Sequence, residues 1–304
     1  MEPISARYRE HLMRMMAHSR ARMEVGDNVL QEANETILPF IDKIVEDNLL
    51  PGSTILHPER LVELHEAAKR GEPCLLLLEH FSNFDLPVFH FLVRKSGEKG
   101  GEIAKSLIAI AGIKLSETNP VVSAFTEAYS RLVIYPSRSI DSLRKGAHDP
   151  KELVAEIMRS VTVNRMSMKK LAEIKTQGRL VLVFPSGTRY RPWDPDTRKG
   201  VREIDSYVKS FSKMCFVSLN GNILRLNPSG EMTEDLLCRD KVVIDIGEMT
   251  NCDEFRARVK HEHHLHEDKK QAVADEIMAG LKRLHDAIEE TRGGSEEPVP
   301  GRDA

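Results

Sequence analysis

Long apolar runs are missing from this sequence. No stretch approaches the roughly 20 consecutive apolar residues that span a bilayer. The N-terminal residues mix arginines with glutamates and hold no apolar segment of signal-peptide length. The sequence therefore predicts neither a membrane-spanning helix nor a secretory signal. If the protein meets a membrane, we expect it to do so from the surface.

Cysteines are few and the net charge is small. The 4 cysteines show no C-x-x-C spacing, which indicates reduced thiols and neither a disulfide framework nor a zinc site. A net charge of -3 argues against a nucleic-acid partner, so any anion site has to be a local cluster of cations. We expect a cytoplasmic protein, and the sequence leaves open a peripheral contact with the inner face of the membrane.

What the sequence does contain, from Cys74 onward, is a series of short apolar runs alternating with amphipathic stretches, the pattern of an α/β domain. The long connections between the runs favour parallel strands. We therefore expect a largely parallel or mixed central sheet flanked by helices. The predicted strands are the leucine run 75–78 and residues 107–110, 132–135, 180–184, 215–219 and 242–246. Helices are expected at 58–70, 119–130, 149–176 and 268–292 and after Asp85.

The residues ahead of this domain read as all-helical. Apolar side chains between Val29 and Val45 recur at helical spacing and form one stripe. We therefore predict an N-terminal helical domain at 1–56 and an α/β domain at 57–292. Residues 293–304 hold glycines and prolines and are expected to be a disordered tail.

The leucine run 75–78 leads directly to a histidine and a carboxylate. Its residues are apolar on both faces, which favours a central strand, and His80 would lie where that strand ends. Asp85 would begin the following helix. A carboxylate on one ring nitrogen of His80 would leave the other nitrogen able to take a proton from a hydroxyl. On the residues alone, His80 is either a catalytic base or a structural histidine.

Two further predicted strands end in residues that suit an anion. Arg138 follows the strand 132–135, and the segment from Ser186 to Arg191 follows the strand 180–184. Because the carboxyl ends of parallel strands lie at one edge of a sheet, we expect both to join His80 in one site.

Within the second segment, Gly187 permits a tight turn, and Ser186, Gly187 and Thr188 could present N–H groups to an anion. Arg189 and Arg191 alternate, so in extended backbone they share a face and would form a receptor for a phosphate dianion. The alternative is that these arginines pair on the surface with acidic side chains such as Asp194, Asp196 and Glu203.

At this point the residues resemble a known family. The segment His80-Phe-Ser-Asn-Phe-Asp85 resembles the H-x4-D motif of the glycerolipid acyltransferases, and Phe184-Pro-Ser-Gly-Thr-Arg189 resembles their second signature. Most members carry glutamate after that proline. Ser186 and the two arginines one residue apart are instead similar to the soluble plastid-type glycerol-3-phosphate acyltransferases. That branch has two adjacent cations after the third strand, where this chain has Arg138 and Ser139.

The resemblance implies acyl transfer from a thioester of acyl carrier protein or coenzyme A to the sn-1 hydroxyl of glycerol 3-phosphate, giving lysophosphatidic acid for phospholipid synthesis. His80 would be the general base and Asp85 would orient it. Arg138, Arg189 and Arg191 would hold the phosphate, with the Ser186–Thr188 turn assisting. The family's chemistry implies no metal and no other cofactor.

Three alternatives remain open from the sequence. The acceptor could be 1-acylglycerol 3-phosphate or another lysophospholipid. A thioester hydrolase with a His-Asp pair is a second option, although the chain has no G-x-S-x-G elbow. A non-catalytic lipid-binding module is the third.

Overall fold

A computed structural model describes residues 1–20, 28–117, 119–140, 150–228, 231–264 and 267–293. The predicted disordered tail lies outside these ranges except for Gly293. The strands are β1 (Glu2–Pro3), β2 (Leu30–Gln31), β3 (Thr54–Leu56), β4 (Cys74–Leu78), β5 (Leu107–Gly112), β6 (Arg131–Ile134), β7 (Leu180–Val183), β8 (Lys213–Asn220), β9 (Leu224–Arg225), β10 (Leu236–Leu237), β11 (Val243–Ile246) and β12 (Thr250–Asn251).

The helices alternate with these strands along most of the chain. They are α1 (Ile4–Arg7), α2 (Arg9–Ala17), α3 (Leu38–Asn48), α4 (Pro58–Lys69), α5 (Asp85–Lys95), α6 (Gly100–Ser106), α7 (Lys114–Glu117), α8 (Pro120–Thr126), α9 (Pro150–Ile174), α10 (Ile204–Ser210), α11 (Cys252–Glu262) and α12 (Lys269–Arg292). The predicted α/β class with a mixed central sheet is confirmed.

The strands of the main sheet follow the order β2-β6-β5-β7-β4-β8-β11-β3, with β12 paired to β8. The five strands from β6 to β8 in this order are mutually parallel. β2 runs antiparallel to β6 and β11 antiparallel to β8, while β3 is parallel to β11. The carboxyl ends of β4, β6 and β7 therefore lie at the same edge. The predicted parallel arrangement of these three strands is confirmed.

Strand β4 is central because its residues are apolar on both faces. All five of them are fully buried. Leu75 and Leu77 belong to the core that includes residues of α9 and α12, whereas Cys74, Leu76 and Leu78 belong to the core that includes residues of α2 to α5. Two hydrophobic layers thus fix both the depth and the orientation of this strand, and with it the position of the residues that follow.

The expectation that residues 1–50 are all-helical is wrong. β2 adds to the edge of the main sheet beside β6, and β1 joins β10 and β9 in a separate three-stranded sheet. Side chains of α2 and α3, including Met15 and Ile41, belong to the same core as β4. The predicted division of the chain at residue 56 stays a prediction.

Candidate active site

The turn after β4 is built around the carboxylate of Asp85. This carboxylate is 1% exposed, and its Oδ2 accepts hydrogen bonds from the backbone N–H groups of Phe81, at 2.6 Å, and Ser82, at 2.8 Å. Its Oδ1 accepts from the Ser82 hydroxyl at 2.9 Å. Asp85 is also the first residue of α5, where the helix dipole favours a negative charge. The turn and the helix start together hold this carboxylate in one orientation.

His80 completes the turn. Its Nδ1 lies 2.8 Å from Oδ2 of Asp85. That oxygen is the acceptor of two backbone N–H groups, so we assign Nδ1 as the donor and Nε2 as the unprotonated nitrogen. The ring stacks on Phe184 with centroids 4.0 Å apart, and its side chain is 18% exposed. Among the described residues Nε2 has no hydrogen-bond partner, so the geometry suits proton abstraction from a bound hydroxyl.

The residue before His80 forms a second carboxylate–imidazole pair. Glu79 Oε2 accepts from the Leu219 N–H at 2.9 Å and lies 2.8 Å from Nδ1 of His285 in α12. Burial raises the pKa of Glu79, and the hydrogen bond from His285 opposes that shift. This pair ties the end of β4 to the C-terminal helix.

The turn after β7 lies against the His80 turn. Phe184 contributes the ring under His80, and the Tyr190 N–H donates to the His80 carbonyl oxygen at 2.8 Å. Gly187 has φ +63°, in the left-handed region, and a Cβ there would lie 3.2 Å from Cγ1 of Val201. This position therefore favours glycine, and the tight turn that the sequence predicted at Gly187 is present.

Some polar groups of the turn after β7 form hydrogen bonds within the turn itself. The Ser186 hydroxyl donates to the Thr188 carbonyl oxygen at 2.7 Å, and the Gly187 N–H donates to the Phe184 carbonyl oxygen at 2.9 Å. Ser186 is 5% exposed. These two residues shape the turn, and their predicted contact with an anion stays a prediction, as does that of Thr188.

The two arginines of this turn differ in their partners. Nη1 of Arg189 lies 2.6 Å from Oδ2 of Asp235, and both side chains are largely buried, with 11% and 2% exposed. Burial raises the pKa of Asp235, and the charge of Arg189 opposes that shift. Arg191 is half-buried and its Nη1 contacts the Thr188 hydroxyl at 3.2 Å. Within the described ranges Arg191 has no ion pair with a carboxylate.

Neither arginine pairs with the acidic residues that the sequence suggested. Asp194, Asp196 and Glu203 make no ion pair with Arg189 or Arg191 in the part of the chain that the structure describes. Arg189 is nevertheless paired, through Asp235, which sequence reasoning missed. No local pattern marks Asp235, because it lies 46 positions beyond Arg189 in the chain.

Arg138 lies in the helical residues 137–140 after β6, two strands away from β7. The pKa of Asp196 is lowered chiefly by its hydrogen bond from Lys199, and the charge of Arg138 contributes to the same shift. The charge of Arg138 therefore acts on the 3-10 turn Pro195–Arg198, which follows the arginine segment. The three predicted groups, from β4, β6 and β7, all lie along one edge of the sheet.

Comparison with protein families adds the deciding observation. Residues 59–219 match the model of a family described as Acyltransferase, and this range is just over half of the 304 residues. The chain belongs to this acyltransferase family. The match supports the glycerolipid acyltransferase superfamily, whose members are enzymes that transfer acyl groups. A search of curated proteins found none that matches this chain.

The matched range of the acyltransferase includes the His80 turn and both arginines but ends before Asp235. It also includes β4 to β7 and all of β8 except Asn220, which are the parallel strands that carry the candidate site. Within the described residues, no helix of this acyltransferase is both long enough and apolar enough to cross a membrane.

Proposed function

We propose that this acyltransferase moves a fatty acyl group from a thioester of acyl carrier protein or coenzyme A to the sn-1 hydroxyl of glycerol 3-phosphate, giving lysophosphatidic acid. The observation that carries this proposal is the hydrogen bond between Nδ1 of His80 and Asp85 at 2.8 Å, one strand away from a turn with two arginines. A base and an anion receptor side by side suit an alcohol that carries a phosphate.

In the proposed reaction, Nε2 of His80 takes the proton of the acceptor hydroxyl as its oxygen attacks the thioester carbonyl carbon. The buried Asp85 carboxylate stabilises the imidazolium that forms. The tetrahedral intermediate then collapses, the C–S bond breaks, and the imidazolium returns its proton to the leaving thiolate. The products are an ester and a free thiol, and His80 is neutral again.

The proposed role of the arginines is to hold the phosphate. Arg191, and Arg138 after β6, would supply positive charge at this edge of the sheet. Guanidinium groups suit this task because they bind phosphate through two parallel hydrogen bonds. The proposed partners are thus glycerol 3-phosphate and an acyl thioester, with a peripheral membrane contact as a further expectation.

The test is thiol release from palmitoyl-coenzyme A and from the acyl carrier protein thioester, each with glycerol 3-phosphate, with 1-acylglycerol 3-phosphate and without acceptor. We expect release that depends on glycerol 3-phosphate and falls by about 10³-fold or more in His80→Ala, in line with the contribution of a general base. Release without acceptor would indicate a hydrolase. Release with 1-acylglycerol 3-phosphate but not with glycerol 3-phosphate would identify the former as the acceptor. No release with any donor would favour a binding module.

His57 offers a matched control. It forms another His–Asp pair, with Nδ1 2.6 Å from Oδ1 of Asp245, and β3, which precedes it, lies three strands from β4. His57 has φ +53°, so asparagine is the replacement that tolerates its backbone best. We expect His57→Asn to keep thiol release within about threefold of wild type, which would assign the His80→Ala loss to the site.

A further inference from the structure

Asp235 contacts both turns of the candidate site with one carboxylate. Its Oδ2 accepts from Nη1 of Arg189 at 2.6 Å and from Nδ2 of Asn83 at 3.3 Å. Asn83 belongs to the His80 turn, between the base and Asp85. A single buried oxygen atom therefore connects the turn that carries the base to the turn that carries the arginines.

The carboxylate is itself fixed from two directions. Its Oδ1 accepts from the Asn227 N–H at 3.0 Å. The Asp235 carbonyl oxygen accepts from the Ile4 N–H at 3.0 Å, where the chain leaves β1. β1 pairs with β10, which begins at the next residue, Leu236. The side chain of Asp235 thus has a rigid support of its own, which a connector between two turns needs.

The charge of Asp235 argues against a role in binding phosphate. A carboxylate beside Arg189 cancels part of the positive charge that would attract a dianion, so its presence weakens phosphate binding. Geometry is what it provides: it holds the Arg189 guanidinium, with 11% of the side chain exposed, in one orientation relative to Asn83. Asp235 thus lowers the affinity for phosphate but fixes the distance between the Arg189 guanidinium and the His80 turn. A fixed distance suits the selection of one hydroxyl of the acceptor among several.

We infer that Asp235 is a positioning residue that sets the separation between the phosphate-binding arginines and His80, so that the primary hydroxyl of a phosphate-bearing alcohol reaches Nε2 and a secondary one does not. This inference rests on the proposed function, because it needs an acceptor that carries a phosphate. It adds a determinant of regioselectivity that lies outside the matched acyltransferase range.

Two single-hydroxyl acceptors test it without interference from acyl migration. 3-Hydroxypropyl phosphate offers a primary hydroxyl alone, and 2-hydroxypropyl phosphate a secondary one alone. The readout is the ratio of kcat/KM for the first acceptor to that for the second, in wild type, Asp235→Asn and Asn83→Ala. We expect this ratio to fall at least tenfold in both variants. In calorimetry with inorganic phosphate, the Kd of Asp235→Asn should be at most about threefold higher than that of wild type.

Asp205→Asn is the matched control. Asp205 is likewise 2% exposed and paired with an arginine, Arg256, at 2.6 Å, but it lies in α10 and contacts neither turn. Its acceptor ratio should equal that of wild type. If Asp235→Asn fails to fold, Asn83→Ala is the deciding variant. It removes the hydrogen bond from the half-buried Asn83 to Asp235 and leaves the ion pair between Asp235 and Arg189 intact.

A ratio within twofold of wild type in folded Asp235→Asn, or in Asn83→Ala, would overturn the inference. So would a parallel loss of phosphate binding and turnover with the ratio unchanged, which would show a merely structural role. Wild-type protein that releases no thiol with either acceptor or with glycerol 3-phosphate would instead overturn the proposed function, and this inference with it. The two failures are therefore distinguishable.

Discussion

The two turns of the candidate site differ in where their partners come from. In the His80 turn the carboxylate is local: among the described residues, the hydrogen-bond partners of the Asp85 side chain lie within five positions of it in the chain. The arginine turn takes its carboxylate from a distant segment, since Asp235 lies 46 positions beyond Arg189. The first carboxylate is therefore placed by its own turn, whereas the second depends on the folding of a segment far along the chain.

The largest effect is expected for Asp85→Asn. The amide cannot accept all the N–H groups that face Oδ2, and it no longer stabilises an imidazolium, so turnover should fall by about 10³-fold. If the new NH₂ group faces the N–H groups of Phe81 and Ser82, two donors meet without an acceptor. This should also lower the free energy of unfolding by about 2 kcal/mol. Steady-state kinetics and urea unfolding measure the two effects.

Asp245→Asn is the control for Asp85→Asn, because Asp245 is 4% exposed and holds His57 in the same way. It should lose stability but keep its turnover. If Asp85→Asn and Asp245→Asn lost turnover equally, the His80 turn would have no special role in catalysis.

Arg189→Ala should affect stability and acceptor use together. It leaves Asp235, 2% exposed, buried without its cation, which should cost about 3 kcal/mol of unfolding free energy. We also expect kcat/KM for glycerol 3-phosphate to fall by about 10²-fold, because the guanidinium no longer orients the phosphate.

The double variant Arg189→Ala with Asp235→Ala separates these two effects. Removing both partners should restore part of the stability without restoring acceptor kcat/KM. Recovery of acceptor turnover in the double variant would mean that Arg189 serves the fold alone, and that the second turn carries no function of its own.

Arg191→Lys should act on the acceptor alone. Arg191 has no carboxylate partner among the described residues, so the change leaves no buried charge unpaired. Lysine keeps the charge but loses the two parallel hydrogen bonds to phosphate, so KM for glycerol 3-phosphate should rise by about tenfold. Thermal unfolding should be unchanged, and KM for the thioester donor should stay at its wild-type value.

Arg198→Lys is the matched control for Arg191→Lys. The Arg198 guanidinium lies 5.3 Å from the ring centroid of Tyr190, on the same segment. An equal rise in acceptor KM in this variant would indicate a diffuse electrostatic attraction instead of a defined phosphate site.

The last prediction concerns pH and α5, the helix that begins at Asp85 of the His80 turn. His90 lies in the middle of α5, and burial, with help from the charge of Arg94, lowers its pKa to about 4. His90 therefore takes up a proton near pH 6.5 in the unfolded chain but only near pH 4 in the folded chain. Stability should fall as the pH drops through this interval, by about 2 kcal/mol between pH 7 and pH 5 from this group.

Urea unfolding of His90→Gln at pH 7 and pH 5 measures this contribution. The pH dependence should become weaker without vanishing, because burial also lowers the pKa of His65. An unchanged pH dependence would contradict the assignment to His90.

The sequence was informative where structure depends on neighbours in the chain. The leucine run of β4 and Asp85 at the start of α5 follow from local patterns. The same holds for the start of α8, where the Asn119 side chain accepts from the Val121 N–H at 2.9 Å. The parallel order of the strands followed from the long connections between them. That parallel order was enough to predict that the residues after β4, β6 and β7 lie at one edge of the sheet.

What the sequence could not predict depends on pairings between distant and very short elements. β1 and β2 have two residues each and no periodicity, so they form only because β10 and β6 offer open edges. Asp235, which contacts Arg189, directly precedes β10 of the first of these pairings. The apolar stripe between Val29 and Val45 is helical from Leu38 onward, where α3 begins, whereas its start forms β2 beside β6.

The pairing of β1 with β10 has a practical consequence for anyone who handles this protein. Because the Ile4 N–H donates to the backbone of Asp235, and the Ser5 hydroxyl donates to the neighbouring Glu234 at 2.8 Å, the first few residues are part of the support of the active site. A change at residues 2–5 is therefore expected to disturb the support of Asp235, which contacts both turns of the candidate site. Kinetic constants measured on tagged and untagged protein should be compared before either is taken as the enzyme's own.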